Sequence, residues 1–302
     1  MIPLKRSNLP VYLYAITAML FWGISFIWTS ILLKYYQPVT IIFIRLIFSS
    51  LFLFFIIFIT KKWEKIARKD WIFFVISAFF NPFLYFLCEN YGVKYSTSTV
   101  ASVIIATIPL FSPLAAFLFF REKLTWMNFA GIIISFGGIW LMLLAMGMSM
   151  EMNGENRGIL ILFGAVMSSL IYSLFLRRLT KNYSPVTIIA WQNLIGIFLF
   201  LPLFFILEYR RFIEVPINSE IVYSFLFLSI LCSSLAFVFY TKTIQVLGIS
   251  KANIFSNLIP VFTAIFSFFM LSERFTWIKI LGIAIVIAGL YLSQRNHNRE
   301  IN

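Results

Sequence analysis

The chain has 302 residues, 61% hydrophobic and 19% aromatic but only 12% charged, with a mean hydropathy of +0.95. Soluble domains carry about 25% charged residues, so a water-soluble enzyme of ordinary design is excluded, as is disorder, which needs low hydrophobicity. Two cysteines in apolar runs, Cys88 and Cys232, exclude a secreted disulfide scaffold, and the net charge of +13 has to be read from its placement.

A bilayer core about 30 Å thick is crossed by about 20 apolar helical residues. In chain order, the candidate spans are Val11–Leu33, Pro38–Thr60 (interrupted only by Arg45), Trp71–Gly92 (interrupted only by Glu89), Tyr95–Phe120 and Leu124–Met150. After the polar segment Ser149–Arg157 come Gly158–Leu176, Tyr183–Leu207, Ile221–Thr241, Ala252–Ser272 and Thr276–Gln294. Lys279 is the one charge in the last run, near its start, where its stem can snorkel. The first run is longer than the 7–15 residues of a signal-peptide core, and nine spans follow it, so it is read as an uncleaved helix. The expected fold is all-α and membrane-integral, with ten transmembrane helices.

With the N-terminus inside, the inward segments hold 16 basic residues, the outward segments seven, and Arg45 completes the 24. This bias predicts both tails, 1–8 and 295–302, in the cytoplasm of a cell-membrane protein. The basic run Lys61–Lys69 then reads as a topology anchor, and nucleic acid is not expected as a partner.

The sequence also matches itself. YYQPVTII, ending at Ile42, aligns with NYSPVTII, ending at Ile189. Further on, Pro109 falls on Pro260, Glu122 on Glu273, Trp126 on Trp277, Gly131 on Gly282 and Gly138 on Gly289. Two repeats are expected, 9–147 and 158–294, each of five helices. Because five is odd, the second copy enters the membrane from the opposite side. Inverted repeats of this kind point to a secondary transporter with its site near the midplane.

The ten-helix pattern with Trp22-Gly23 in the first span, Pro38 and Arg45 in the second, Tyr95-Ser96 leading into Pro109, and paired REKLT and SERFT ends resembles the EamA type of the drug/metabolite transporter superfamily. The resemblance covers about residues 9–294. It implies a central cavity lined mainly by the first, third, fourth, sixth, eighth and ninth helices, and export of a small amphipathic metabolite such as an amino acid or drug. The Arg45 position corresponds to Gln192 in the second half, so the halves are electrostatically unequal.

Glu89 is the one carboxylate inside a span, and Arg45 is its basic counterpart. Both fall in the outer half of the membrane on the expected topology. Two roles stand open: a structural ion pair locking the second span to the third, or a substrate or proton site, the default for an intramembrane ionisable residue. Asn81, Tyr85 and Glu89 recur every four residues and share a helix face. With Trp22, Tyr172, Gln192, Asn193, Tyr240, Asn253 and Asn257 they make the candidate cavity set, though amides in spans serve equally well as interhelical hydrogen bonders. Pro82, Pro109 and Pro260 are candidate kinks.

There is no phosphate-cradling GxxxxGK[ST] loop, and the sole histidine, His297, lies in the C-terminal tail. No catalytic triad, metal site or cofactor is expected, and the partners expected are a small molecule, the lipid bilayer and a proton. The expected function is secondary-active export by alternating access. The rivals are a non-transporting membrane protein and a lipid-handling membrane enzyme.

Overall fold

The structure is a computed structural model that describes residues 9–111, 126–145, 154–273 and 276–294. Pro113, Glu122, the REKLT segment, the first part of the 149–157 linker, both tails and His297 lie outside the described residues. Among the described residues every regular element is helical. In chain order they are α1 (Leu9–Leu32), α2 (Pro38–Thr60), α3 (Arg68–Tyr95), α4 (Ser98–Phe111), α5 (Trp126–Ala145), α6 (Gly154–Leu179), α7 (Pro185–Glu214), α8 (Ser219–Leu247), α9 (Lys251–Met270) and α10 (Trp277–Gln294). Seven of these, α1–α3 and α6–α9, are long and apolar enough to cross a membrane; the remaining apolar stretches, Ser98–Phe111, Phe129–Leu141 and Trp277–Gly289, are shorter. A chain of this composition with this many apolar helices is a multi-pass membrane protein.

The helix boundaries follow from local chemistry. Proline occupies the first turn of α2 and α7, where its missing N–H is not needed. Lys61, in the left-handed region at φ 52°, closes α2. Ser184 caps α7 by accepting from the Thr187 N–H at 3.3 Å.

Three helices carry π-helical turns inside their length. π-Helical turns occupy Phe79–Leu84 of α3, Phe204–Glu208 of α7 and Phe227–Leu235 of α8. Asn81, ahead of Pro82, has extended backbone angles (φ −148°, ψ 117°), so the kink expected at Pro82 is present. Near Pro109 the helix stops at Ile105 and resumes at Ile108 after a turn. Near Pro260 a 3-10 segment, Phe255–Leu258, precedes the helix that restarts at Ile259. In both places proline sits just inside a new helical start, where it forfeits no hydrogen bond.

The helices pack in antiparallel pairs. Along α2 and α7, the Phe43 ring lies 4.7 Å from Phe204, Asn193 Nδ2 donates to Ser49 Oγ at 2.7 Å, and the Phe54 ring is 5.5 Å from Trp191. Each helix start in this pair receives a carboxylate from the far end of the other helix, Glu208 within α7 and Glu64 just after α2. Glu208 accepts from Val39 N (3.2 Å), Thr40 N (2.6 Å) and Thr40 Oγ1 (2.7 Å). Glu64 accepts from Ser184 N and Ser184 Oγ at 3.0 and 2.9 Å. A carboxylate there complements the unpaired N–H groups and the positive end of the helix dipole. The same two ends carry a second link each: Tyr183 donates to Asp70 at 2.8 Å, and Tyr35 donates to Glu220.

α5 and α10 meet through glycines. A Cβ on Gly138 would lie 2.7 Å from the Gly282 carbonyl oxygen, and one on Gly289 would lie 2.7 Å from that of Gly131. α1 runs against α8, with Trp28 stacked 5.4 Å from Phe227 and Trp22 4.9 Å from Phe237. α3 runs against α6, where Gly92 faces Leu162 and Gly158 faces Tyr95.

Lys279 departs from the snorkelling expected of it. It is 6% exposed and forms a salt bridge with Glu273, which also accepts from Thr99 Oγ1 at 2.7 Å. A carboxylate within reach of a partly buried ammonium makes the turn inward favourable.

Candidate functional site

The crossing helices leave a cavity between them, walled by side chains from helices of both halves of the chain. From α1 come Trp22, Ser25 and Phe26, and from α2 only Arg45. α3 supplies Asn81, Tyr85, Phe86 and Glu89, the face read from the four-residue spacing, together with one ring beside it. Ile105 and Ile108, on either side of the break in α4, close another wall. α6 adds Ser169, Tyr172 and Ser173, α8 adds Phe237 and Tyr240, and α9 adds Asn253, Ser256 and Ile259 around its 3-10 segment.

The charged groups stand at one part of the wall. Arg45 is 1% exposed, and its Nε donates to Ser233 Oγ at 2.7 Å. Ser233 Oγ in turn donates to the Leu228 carbonyl five residues back, a partner that the π-helical turn brings within reach. The guanidinium carbon sits 4.0 Å from the Phe86 ring centroid, within cation–π range. Nη1 has no hydrogen-bond partner. Glu89, 7% exposed, accepts from Tyr85 OH at 3.0 Å through Oε1.

A direct Arg45–Glu89 ion pair, one of the two roles open from the sequence, is not formed: among the described residues no salt bridge joins the two. The physical reason lies in their neighbours. Tyr85, one turn earlier on α3, holds the carboxylate, while Ser233 and Phe86 hold the guanidinium. Leaving a buried charge without its full complement costs of order several kcal/mol, so both groups are held facing the cavity at some expense of stability.

Aromatic rings continue the wall away from Arg45. Phe86 lies 5.8 Å from Phe237, Phe237 4.9 Å from Trp22, and Trp22 4.9 Å from Tyr240. Tyr240 OH donates to Asn253 Oδ1, and Trp22 Nε1 is buried without an acceptor.

Of the ten candidate cavity residues, Trp22, Asn81, Tyr85, Glu89, Tyr172, Tyr240 and Asn253 line this space, and Arg45 joins them. Three others do not. Gln192 is set behind the wall, accepting from Tyr172 OH at 3.1 Å and donating to Ser77 Oγ at 2.9 Å. Asn193 ties α7 to α2 through Ser49, whose hydroxyl also meets Ser234 Oγ at 2.6 Å. Asn257 is half-buried off the cavity, its Oδ1 without a donor. Gln192 and Asn193 tie helices together instead of facing the cavity. Sequence reasoning missed Phe86 and Phe237 as wall-forming rings. With 37 phenylalanines in the chain, no signal separated them from lipid-facing ones. Among the described residues no His/Cys/Asp/Glu cluster suited to a metal occurs.

The chain is similar to known proteins. A family model described as the EamA-like transporter family matches the chain twice, at residues 9–144 and 156–294. An uncharacterized transporter of Archaeoglobus fulgidus is 26% identical over 292 residues, spanning 95% of this chain and 98% of its own. The uncharacterized transporter YetK of Bacillus subtilis is 25% identical over 253 residues, 83% of this chain and 76% of its own. A solved crystal structure superposes with a TM-score of 0.71 over 94% of this chain and 98% of its own at 16% identity, a likeness of fold.

Proposed function

The chain belongs to the EamA-like transporter family, and from that premise we propose that it is a secondary-active permease working by alternating access around the central cavity. The single observation that carries this reading is the cavity bearing Arg45 and Glu89 between helices drawn from both halves of the chain. A membrane protein does not bury an incompletely paired guanidinium and carboxylate beside an empty volume without a use for them.

The architecture we propose is ten helices in two five-helix repeats of inverted topology. Its support is the exchange of partners described above. Gly131 aligns with Gly282 and Gly138 with Gly289 in sequence, and in space Gly138 meets Gly282 while Gly289 meets Gly131. A two-fold axis in the membrane plane produces that crossing. The antiparallel α2–α7 pair, with each carboxylate on the other helix's start, has the same symmetry. The π-helical turns of α3 and α8 fall at equivalent places, as do the breaks before Pro109 and Pro260. We assign the alternating motion to these interruptions, of which those of α3, α4 and α9 border the cavity, and which carry fewer α-helical hydrogen bonds than the straight helices.

The direction proposed is export, on the family resemblance, and the substrate class is a small amphipathic metabolite such as an amino acid or drug. Coupling to protons is assigned to Glu89. The location proposed is the cell's plasma membrane with both termini cytoplasmic, supported by the 16-to-7 basic bias. The Glu64–Ser184 and Asp70–Tyr183 contacts gather the basic 61–69 and 177–181 segments at one end of the molecule.

The deciding experiment is flux into proteoliposomes that contain only this protein, across a panel of amino acids, nucleosides, sugars and cationic drugs. Substrate-dependent, saturable flux is expected. Chemical conversion without a gradient replaces the permease with a membrane enzyme; absence of both leaves a non-transporting membrane protein.

A further inference from the structure

The loops at one end of the molecule carry a charge that their own packing does not use. Segments 61–70 and 177–184, between α2 and α3 and between α6 and α7, hold eight basic and two acidic residues. The repeat alignment sets against them segments 208–220 and 33–37 at the opposite end, with three basic and three acidic residues. The same arrangement of helix ends thus exists with and without the excess. Both acids of the basic end are taken up elsewhere: Glu64 accepts from Ser184, and the buried Asp70 accepts from Tyr183. Tyr183 OH also accepts from the Ala67 N–H at 3.1 Å, so hydrogen bonds, not ion pairs, fasten the two segments. The end of α8 joins them, since Gln245 Nε2 donates to the Thr180 carbonyl at 3.0 Å and Lys242 Nζ donates to Gln245 Oε1 at 3.0 Å. All eight basic side chains of the two segments are exposed, and among the described residues none of them forms a salt bridge. Arg178 is drawn across to α3, its guanidinium carbon 3.7 Å from the Phe73 ring centroid. Beside these cations along the chain stand outward apolar side chains: Phe58 is 78% and Trp63 64% exposed, and Ile59, Ile72 and Leu174 are exposed too.

The geometry points to a binding surface for an anionic phospholipid, whose headgroup phosphate is held jointly by the 61–69 and 177–181 cations while its acyl chains lie against the apolar side chains beside them. A phosphate is the complement of clustered cations that have no acid of their own, and Arg and Lys both donate charge-assisted hydrogen bonds to it. The apolar neighbours select the source. A soluble phosphate compound or a nucleic acid would engage the cations and leave Phe58, Ile59 and Trp63 facing water. A lipid engages both layers, and an exposed tryptophan belongs at the headgroup level. Because the cations come from a loop of the first half and a loop of the second, one headgroup bridges the two halves of the chain. This surface is separate from the central cavity, none of whose lining residues it shares, and it does not depend on the transporter reading.

The test follows the melting temperature of the full-length protein in neutral detergent as phosphatidylglycerol or phosphatidylcholine with the same acyl chains is added. Phosphatidylglycerol is expected to raise it saturably and phosphatidylcholine to leave it unchanged, and the rise is expected to shrink as salt goes from about 0.05 to about 0.5 M. Lys62→Gln, Lys65→Gln and Arg68→Gln together, and separately Arg177→Gln with Arg178→Gln, are each expected to weaken phosphatidylglycerol about tenfold. Combining the two sets is expected to add little, because one headgroup uses both segments. Arg210→Gln with Arg211→Gln, at the charge-balanced end, is expected to change nothing. All these positions are exposed, so melting in phosphatidylcholine is expected to match the native protein and reports folding separately. Arg178→Lys, which keeps the charge and loses the planar face on Phe73, is expected to fall between native and Arg178→Gln. Equal responses to the two lipids, or an equal loss in the Arg210 and Arg211 variant, overturns the assignment. So does stabilisation by inorganic phosphate, glycerol 3-phosphate or a short single-stranded oligonucleotide that matches phosphatidylglycerol. Losses that simply sum over the two segments replace the bridging headgroup with a diffuse charged surface and overturn it as well.

Discussion

Arg45 and Glu89 are buried, and their surroundings hold them yet leave capacity over. The contrast with Lys279 is instructive: its ammonium closes on Glu273 and its charge is locally balanced. Asn193 likewise finds Ser49, and such an interhelical bond in a membrane is worth about 0.6 kcal/mol on average. Glu89 lines the cavity, and a carboxylate that must change partners in a transport cycle is the group through which we assign proton coupling. Replacing it by glutamine keeps the shape and the bond to Tyr85 while removing the titration. Transport by Glu89→Gln is therefore expected to lose its dependence on pH across the range where the native protein shows one. An unchanged pH profile in proteoliposome flux places coupling elsewhere.

Among elements, the start of α7 gives a prediction with a sign. Burial pushes the Glu64 carboxyl up, but hydrogen bonds from Thr187 and Ser184 outweigh it, so its pKa lies below the ordinary value. A folded-state pKa held below the unfolded one adds stability that is present above the unfolded value, about 4.3, and is lost as pH falls through the folded value. The Tm advantage of the native protein over Glu64→Gln is thus expected to be full at pH 7 and to vanish as the pH falls below about 4. The α5–α10 contact gives another prediction. In Gly138→Ala the new methyl meets the Gly282 oxygen at 2.7 Å and the Val286 nitrogen at 2.8 Å, backbone atoms that cannot rotate away. The helices must part, at a cost of about 1–3 kcal/mol. Gly137→Ala, one residue earlier, meets nothing within 4 Å and is expected to gain up to about 1 kcal/mol from helix propensity. Thermal melts of the pair check the contact directly: equal melting temperatures would remove it.

For the molecule as a whole, the contacts sort the loops to two ends. One holds Glu64, Asp70, Tyr183 and Ser184, and the other holds Tyr35, Gln37, Glu208 and Glu220. Lys94 belongs with the second end, since Nζ donates to Gln37 Oε1 at 2.5 Å. On the proposed topology, cysteines installed at Lys62 and Lys181 are expected to react with an impermeant thiol reagent only from the cytoplasmic side. Those at Lys94 and Arg211 should react only from outside. The native Cys88 and Cys232 are half-buried and buried, and contribute little background. Labelling of all four positions from one side would refute the inverted arrangement.

Much of the fold was legible along the chain. In lipid each backbone polar group must be satisfied within its own segment, so long uncharged runs dictate helices with no help from neighbours. The spacing of Asn81, Tyr85 and Glu89 likewise placed three residues on one face, and Pro82 marked the kink in α3. The π-helical turn of α8 carries no comparable mark: no proline lies within Phe227–Leu235, and its geometry depends on what packs against it. Which amide reaches the cavity was not legible either. Asn253 lines it whereas Gln192, Asn193 and Asn257 do not, because an amide's side is set by the helix that crosses beside it. The same holds for Arg45 and Glu89. Composition and periodicity determined by themselves that the chain is helical and lives in the membrane, because those properties are local to each segment. Only the tertiary structure decided that Arg45 and Glu89 line one cavity without pairing, because partner choice is settled between helices distant in sequence.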